Sequence, residues 1–382
     1  MTQRIGIIGA SGFVGSALCE RLFFSGNRNF IPFVHSSGNA WRIARLPVPI
    51  RSVDLLDRQQ VRAAVSSCDV VVNCSLASND RKSRGLRNLA DAAKKARINR
   101  FVHLSSIAIY GRDPPPSSAT EAGKPDPGGN PYGILKLRQD EIVFELHRAG
   151  VPSFILCPGN IGGPYSLFMR GLAERLARGP MPLVDGGSYP SNVMHIDNLV
   201  EAILAATRSE KGAGERYFVN ESRPVPWRSV FDDLGKLLGL RVSYVDVARE
   251  EVLALLSSVS PRVGLAGHLR IAVSGEFRSA LSAMPMFRGL NDVAGLLFSK
   301  LPRRYQLGIR ERLAWPIRVS KRTSGPQLDD RYVTVQARRF YHSTQKLRET
   351  LDWRPALTYE KGLETTAAWL RFAGVVPGST ER

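Results

Sequence analysis

The chain is poor in the residues that mark several common chemistries. It holds four cysteines and six histidines in 382 residues. Cys19, Cys68, Cys74 and Cys157 are scattered without metal-ligand or redox spacing, which argues against a metal site or a disulfide scaffold and leaves buried, reduced thiols. Long hydrophobic runs are also missing. The opening MTQRIGIIGASGFVG is apolar only briefly, is broken by glycines and lacks a small-residue cleavage site. Neither a secretory signal nor a membrane span is read there, and the expected location is cytoplasmic. Acidic residues are the third shortage: 34 Asp and Glu against 53 Lys and Arg give a formal net charge of +19. An excess of that size asks for an anionic partner or a strongly solvated surface.

The basic excess is uneven. Between Pro261 and Arg322, twelve Lys and Arg stand against three acids. There Leu265, Leu269, Ala272, Val273, Phe277, Leu281 and Met284 fall near one helical face, and Phe287, Phe298 and Trp315 follow. Two readings of this insertion stay open. One is a helical lid or oligomer contact with solvated arginines; the other is a peripheral element on the anionic inner surface of a membrane. Nucleic-acid binding is not expected, because no recognised module accompanies the charge.

A hydrophobic content of 43% suits a well-buried core. Up to about residue 157, apolar runs, turns and amphipathic stretches alternate as in a doubly wound parallel α/β sheet. Strands are predicted at 4–9, 29–35, 49–55, 68–75, 100–106 and 151–157, with helices at 57–65, 82–97 and 132–149. Residues 1–157 are thus expected to form a Rossmann-type nucleotide-binding domain. Residues 158–382 are expected to be mainly a smaller substrate-binding region, carrying the basic insertion and C-terminal helices over 343–372.

GASGFVG follows the first strand and opens a helix. Gly9, Gly12 and Gly15 there allow a tight turn and a close backbone approach to a pyrophosphate, which the helix N-terminus stabilises. An acidic residue at the end of the second strand would accept the ribose hydroxyls of NAD. Here that strand ends FVHSSG, with His35, Ser36 and Ser37 and no carboxylate. The absence favours NADP over NAD, its extra phosphate suiting Ser36 or a base such as Arg42 or Arg45. Asp54 closes the third strand, where it can meet the adenine edge or cap the next helix.

Tyr132 and Lys136 in NPYGILK lie four residues apart, so both share one face if Pro131 opens a helix. A nearby ammonium stabilises a phenolate and makes tyrosine a usable acid and base. Ser105 and Ser106 end the fifth strand at the sheet edge where ligands bind in such folds.

With these blocks the chain resembles the extended short-chain dehydrogenase/reductase superfamily, in its NAD(P)-dependent epimerase/dehydratase branch. The blocks are the glycine loop, VVVNCSLA, LSSIAIYG, YGILK, CPGNIGGP, VMHIDNLVEAI and STQKLRETLDWRPALTYEKGLETTAAWL, in that order. The resemblance implies Tyr132 as general acid/base, Lys136 as the ribose-binding cation that lowers the tyrosine pKa, and Ser106 as the hydroxyl that polarises the substrate carbonyl. It implies cofactor contacts from Gly9, Ser11, Gly12, Phe13, Val14, Gly15, His35, Asp54, Leu55, Ser75, Lys136 and Pro158, and a homodimer through the helices at 82–97 and 132–149.

Two departures narrow the chemistry. Sugar dehydratases of this family follow the catalytic hydroxyl with an Asp-Glu pair; here Ile107 and Ala108 follow Ser106, which disfavours elimination. Nucleotide-sugar enzymes of the group place an arginine just before the block matching VMHID, where this chain has Ser191 and Asn192. Arg170, Arg216 and Arg228 are the substitutes within reach in sequence. Asp197 is expected to cap the following helix, and His195 to anchor a strand end. The expected activity is NAD(P)-dependent redox or epimerisation at a sugar carbinol or ketone, nucleotide- or lipid-linked. The alternatives are a membrane-associated alcohol dehydrogenase of the 3β-hydroxysteroid type and a non-catalytic NAD(P)-sensing protein.

Overall fold

The computed structural model describes residues 3–76, 83–128, 130–258 and 331–375. The chain divides into two units, residues 1–255 with 328–382, and residues 256–327. The first carries the described core. The basic insertion expected at 261–322 lies outside the described residues.

The strands are β1 (Ile5–Ile8), β2 (Phe30–Val34), β3 (Arg51–Ser52), β4 (Val70–Asn73), β5 (Arg100–Leu104), β6 (Ser153–Pro158), β7 (Asn160–Gly162), β8 (Met181–Val184), β9 (Val193–His195), β10 (Glu215–Val219) and β11 (Tyr244–Val247). The helices are α1 (Phe13–Phe24), α2 (Arg58–Val65), α3 (Arg84–Ala96), α4 (Pro131–Arg148), α5 (Leu167–Ala177), α6 (Ile196–Arg208), α7 (Trp227–Leu238), α8 (Arg249–Ser258), α9 (Arg331–Thr334), α10 (Gln345–Leu351) and α11 (Tyr359–Phe372). Seven parallel strands form the main sheet in the order β3-β2-β1-β4-β5-β6-β10. The order reverses between β1 and β4, where a crevice opens at the strands' carboxyl ends.

Runs such as IGII and VVVN are buried along their whole length because helices cover both faces. On one face α1 and α6 contribute Leu18, Leu22, Leu199 and Ile203 to a core that also takes Leu347 and Trp353 from the C-terminal segment. On the other, α2, α3 and α4 contribute Val61, Leu89, Ile142 and Leu146. A third core, built from α5, α7, α11 and β8, holds Leu172, Trp227, Phe231 and Leu363. Two small parallel pairs, β7 with β9 and β8 with β11, complete this smaller lobe.

Local chemistry sets the helix starts. Asn130 accepts from the N–H groups of Tyr132 and Gly133, and Pro131 fills the first helical position of α4. Asp57, rather than Asp54, caps α2 by accepting from Gln59 and Gln60. The expected cap of α6 is corrected too: His195 Nδ1 accepts the Asp197 N–H at 3.2 Å. His195 is the last extended residue, so its ring reaches the free donor, while Asp197 lies already inside the first turn.

All four cysteines are free, and burial raises the Cys19, Cys68, Cys74 and Cys157 thiols above their ordinary pKa. Among the described residues no helix is long and apolar enough to cross a membrane, and no His, Cys, Asp and Glu cluster is placed to hold a metal.

Glu221, buried just beyond β10, ties the two lobes' strands together. Its carboxylate accepts the His195 N–H at 3.0 Å and lies 3.4 Å from Asn198 Nδ2. Burial raises it from 4.5 to about 7, against the opposing pull of those hydrogen bonds. A carboxyl raised in the folded state keeps its proton longer than in the unfolded chain, so stability falls as pH climbs from 4.5 to about 7 and is level beyond. Denaturant titrations should show wild type losing about 2 kcal/mol more than Glu221→Gln between pH 5 and 7.5. Parallel curves for the two proteins would refute the assignment.

Candidate active site

β1 runs into a turn that only glycine permits at two points. Gly9 has φ of +79°, and a Cβ there would lie 2.8 Å from the Ser75 backbone. A Cβ on Gly15 would lie 2.3 Å from the Gly9 carbonyl, so α1 seats its first turn against the strand only with glycine at that position. Gly12 precedes α1 in extended conformation and makes no side-chain cap, which leaves the N–H groups of Phe13 and Val14 at a bare, electropositive helix start. Ser11 is half-buried beside them. A pyrophosphate-bearing dinucleotide fits this cradle, which any larger side chain would fill.

Ser75 stands across from the glycines. Its Oγ donates to Asn73 Oδ1 at 2.6 Å, and Asn73 Nδ2 meets His103 Nδ1 at 3.1 Å. Burial lowers the His103 pKa well below its usual value, so the ring is neutral. Pro158 ends β6 and is buried, while Gly159 and Asn160 after it line the cavity described below.

Beyond β2 the expected cofactor contacts divide. His35 and Ser36 are exposed, with no acidic side chain between β2 and β3. Arg42 and Arg45, expected as phosphate partners, both pair with Glu20 of α1, at 2.7 and 3.2 Å. Asp54 shapes its own turn, accepting the Leu56 N–H at 2.9 Å, and Leu55 packs partly buried against the core beneath α2 and α3.

The structure brings Ser106, Tyr132 and Lys136 together. Ser106 begins a one-turn helix over Ile107–Tyr110 and accepts the Ala108 N–H at 3.1 Å. That turn packs on α4 at Gly133, where a Cβ would lie 2.4 Å from the Ala108 carbonyl. The glycine of NPYGILK thus sets the spacing between Ser106 and Tyr132. Tyr132 is 42% exposed and lines the cleft beside Ser106; desolvation there raises its hydroxyl above the ordinary pKa, and the nearby Ser106 hydroxyl opposes the rise. Ser105 points elsewhere and is buried. Neither its Oγ nor Asp140 Oδ1 has a hydrogen-bond partner among the described residues; burial raises the Asp140 carboxyl above its ordinary pKa, and Arg216 and, less, Ser105 oppose the rise.

Lys136 is 3% exposed and donates to the Leu104 carbonyl at 2.8 Å, with its Nζ 6.0 Å from the Tyr132 ring centroid. Burial lowers it to about 8, and Asp140, one turn further along α4, pulls it back up. Asp140 is fully buried and receives Arg216 Nε of β10 at 2.7 Å. Lys136 therefore stays mostly protonated at neutral pH.

Ser106 and Tyr132 open onto a cavity of about 520 Å³. Phe13, Ile107, Ile161, Leu167 and Phe168 give it an apolar wall, and Arg112, Arg331 and Arg338 also line it. Among the described lining residues none is acidic. Burial pushes the Arg338 guanidinium down to about 10, so it remains charged. These three arginines were missed from the sequence. Those named instead are engaged elsewhere: Arg170 with Glu174, Arg216 with Asp140 and Arg228 with Asp232. The only signal available was the pair Arg338 and Arg339 just before the STQKLRETL block.

A sequence model described as the NAD dependent epimerase/dehydratase family matches residues 5–219. Among curated proteins, the chain is similar to the 4-hydroxy-2-methyl-3-oxo-4-farnesyl-3,4-dihydroquinoline-1-oxide ketoreductase of Stigmatella aurantiaca, with 25% identity over 63% of this chain and 74% of that protein. It is also similar to the N-acetyl-alpha-D-glucosaminyl-diphospho-ditrans,octacis-undecaprenol 4-epimerase of Escherichia coli O157:H7, with 24% identity over 57% of this chain and 67% of that protein. A crystal structure of UDP-glucose 4-epimerase from Thermotoga maritima shares the fold at a TM-score of 0.65 and 19% identity, covering 97% of this chain and 99% of that one.

The two crowded glycines separate binding from turnover. Gly15→Ala should weaken NADPH or NADH binding at least tenfold, read by fluorescence titration. Gly133→Ala should leave that affinity within about threefold while lowering turnover by about tenfold or more, because it pushes the Ser106 turn away from Tyr132. Equal loss of cofactor affinity in both variants would contradict the geometry.

Proposed function

The chain belongs to the NAD dependent epimerase/dehydratase family, and from that premise we propose an NAD(P)-dependent oxidoreductase or epimerase acting at a sugar carbinol or ketone carried on a diphosphate, nucleotide- or lipid-linked. The observation that carries this reading is the pairing of Ser106 and Tyr132 with three arginines around one cavity whose described lining residues include no acid. Arginines without acidic partners suit a phosphate or diphosphate by charge-assisted, bidentate bonds. The undecaprenol-linked sugar in the name of the Escherichia coli relative supports the same substrate class.

The bound dinucleotide supplies or accepts the hydride. Ser106 accepts from Ala108, which leaves its O–H available to the Tyr132 hydroxyl or, in its place, to a substrate oxygen. Tyr132 gives that oxygen a proton as hydride reaches the carbonyl carbon, or removes one as hydride leaves. The Lys136 ammonium favours the phenolate that results. Epimerisation needs the same groups twice, hydride returning to the opposite face of a transient ketone. Ile107 and Ala108 offer no acid or base for elimination.

A second reading, reduction of an apolar ketone or oxidation of a hydroxysteroid-like alcohol, draws support from the apolar wall and from the name of the Stigmatella relative. The intact Ser, Tyr and Lys set weighs against a non-catalytic sensor. The exposed His35 and Ser36, with no carboxylate beside them, support NADP over NAD as cofactor. A homodimer through α3 and α4, a cytoplasmic location, and contact of the 261–322 segment with an anionic membrane belong to the same proposal.

Purified protein should be incubated with UDP-, GDP- and dTDP-sugars, a lipid-linked diphosphosugar, hydroxysteroids and long-chain ketones, following NAD(P)H absorbance and sugar products. The expected result is turnover of a diphosphosugar, preference for NADP(H) in kcat/KM, and a loss of about a hundredfold or more in Tyr132→Phe. Turnover confined to uncharged ketones or alcohols would establish the second reading. Activity unaffected in Tyr132→Phe would remove the mechanism.

A further inference from the structure

Three consecutive residues, Gly111 to Asp113, hold arginines from two distant parts of the chain. The Gly111 carbonyl accepts from Arg338, and Arg112 lines the cavity itself. The Asp113 carboxylate pairs with Arg249, whose side chain is 6% exposed, and with Arg339 at 3.4 Å. Arg249 Nε also donates to the Ala337 carbonyl at 2.9 Å, one residue before Arg338. The strand of chain carrying Arg338 is therefore stapled to the turn carrying Arg112 at three points, and Asp113 takes part in two of them.

The charge arrangement is selective. Asp113 is spent on Arg249 and Arg339, neither of which lines the cavity, and is itself not part of its lining. Its negative charge thus fixes the scaffold without opposing an anion near Arg112 and Arg338. Among the described residues Arg338 meets the Gly111 carbonyl and, at 3.4 Å, the His342 ring. Burial and the adjacent Arg338 hold that ring's pKa down at about 3, so it is neutral.

We propose that Asp113 is a positioning residue that sets the affinity of the cavity for the anionic group of its substrate, by holding Arg112 and Arg338 in one orientation. This rests on the reading of an anionic, diphosphate-bearing substrate. Asp113 touches neither substrate nor cofactor, and its removal leaves the Arg249 guanidinium buried without its carboxylate, releasing the segment at Ala337.

The test uses the full chain saturated with its nicotinamide cofactor, so that the glycine cradle is filled, and inorganic pyrophosphate as the calorimetric probe. Asp113→Asn should weaken pyrophosphate binding about tenfold, Asp113→Glu should restore it to within about threefold of wild type, and cofactor affinity should be unchanged in both. With the diphosphosugar identified by the screen, KM should rise while kcat holds. If Asp113→Asn does not fold, Arg249→Lys takes its place. It keeps the buried charge but loses the bridge to Ala337, and should weaken pyrophosphate about threefold. Wild-type pyrophosphate affinity in the folded variant, with Arg338→Gln impaired, would overturn the role of Asp113 and leave the anionic-substrate reading standing. Failure of the wild-type protein to bind pyrophosphate would instead overturn that reading and the inference with it.

Discussion

A buried ammonium organises this molecule. Lys136 is removed from water on the inner face of α4, and an isolated charge there would cost several kcal/mol or lose its proton. The Leu104 carbonyl takes one of its hydrogens, and Asp140 lies one turn further on the same helix. Asp140 is itself fully buried, which raises its pKa, and the Arg216 guanidinium of β10 at 2.7 Å opposes that rise. The series from Tyr132 through Lys136 and Asp140 to Arg216 thus runs from the cavity to the far edge of the sheet. It gives a physical reason for β10 to join the main sheet beside β6: without that strand, Asp140 loses its hydrogen-bonded guanidinium, its carboxyl is protonated more readily, and its pull on the Lys136 pKa weakens.

The same constraint fixes distances at the site. A helix carrying Lys136 against the end of β5 must pass close to the turn that follows β5, and Gly133 is the residue that lets it do so. In a helix interior glycine costs about 1 kcal/mol relative to alanine. Here an alanine methyl would collide with the Ala108 carbonyl, so the cost is accepted where close approach brings Ser106 to Tyr132. A similar exchange holds at Gly15, where α1 comes down on the Gly9 carbonyl.

Much of this was legible in the sequence because it is local. Continuous apolar runs such as VVVN identify strands covered on both faces, and the Asn-Pro before Tyr132 identifies a helix start whose next two side chains of interest share a face. The choice of Ser106 over Ser105 came from the family resemblance, and in the fold Ser106 lines the cavity while Ser105 is buried away from it. The electrostatic pairings were not legible, because they join residues far apart in the chain. Glu20 draws in Arg42 and Arg45, removing the arginines that the sequence offered to a cofactor phosphate. Arg112, Arg331 and Arg338 reach one cavity across more than two hundred residues of sequence, and nothing in spacing or periodicity marks them. The cap of α6 was misread for a subtler reason. Capping belongs to the last extended residue, which depends on where β9 stops, and that boundary places His195 and not Asp197 at the free N–H.

The basic excess of the chain takes on a sharper meaning once the arginines are sorted by partner. Arg216, half-buried, and Arg249, buried, are paired with carboxylates, so they hold elements together and contribute little field outside. Arg112, Arg331 and Arg338 have no acid among the described residues of the cavity lining, and the bare N-terminus of α1 lies along the same crevice with Phe13 in its wall. A positive potential concentrated in a low-dielectric cleft attracts anions more strongly than the same charges spread over a surface. The crevice therefore favours two anionic groups at once, a dinucleotide pyrophosphate at the glycine turn and a second anion near the arginines. Their mutual repulsion is offset by fixed protein charge, whereas counterions would have to be recruited in solution. That preorganisation leaves the space between the two anions, where Ser106 and Tyr132 stand, for a neutral group such as a carbinol or a carbonyl.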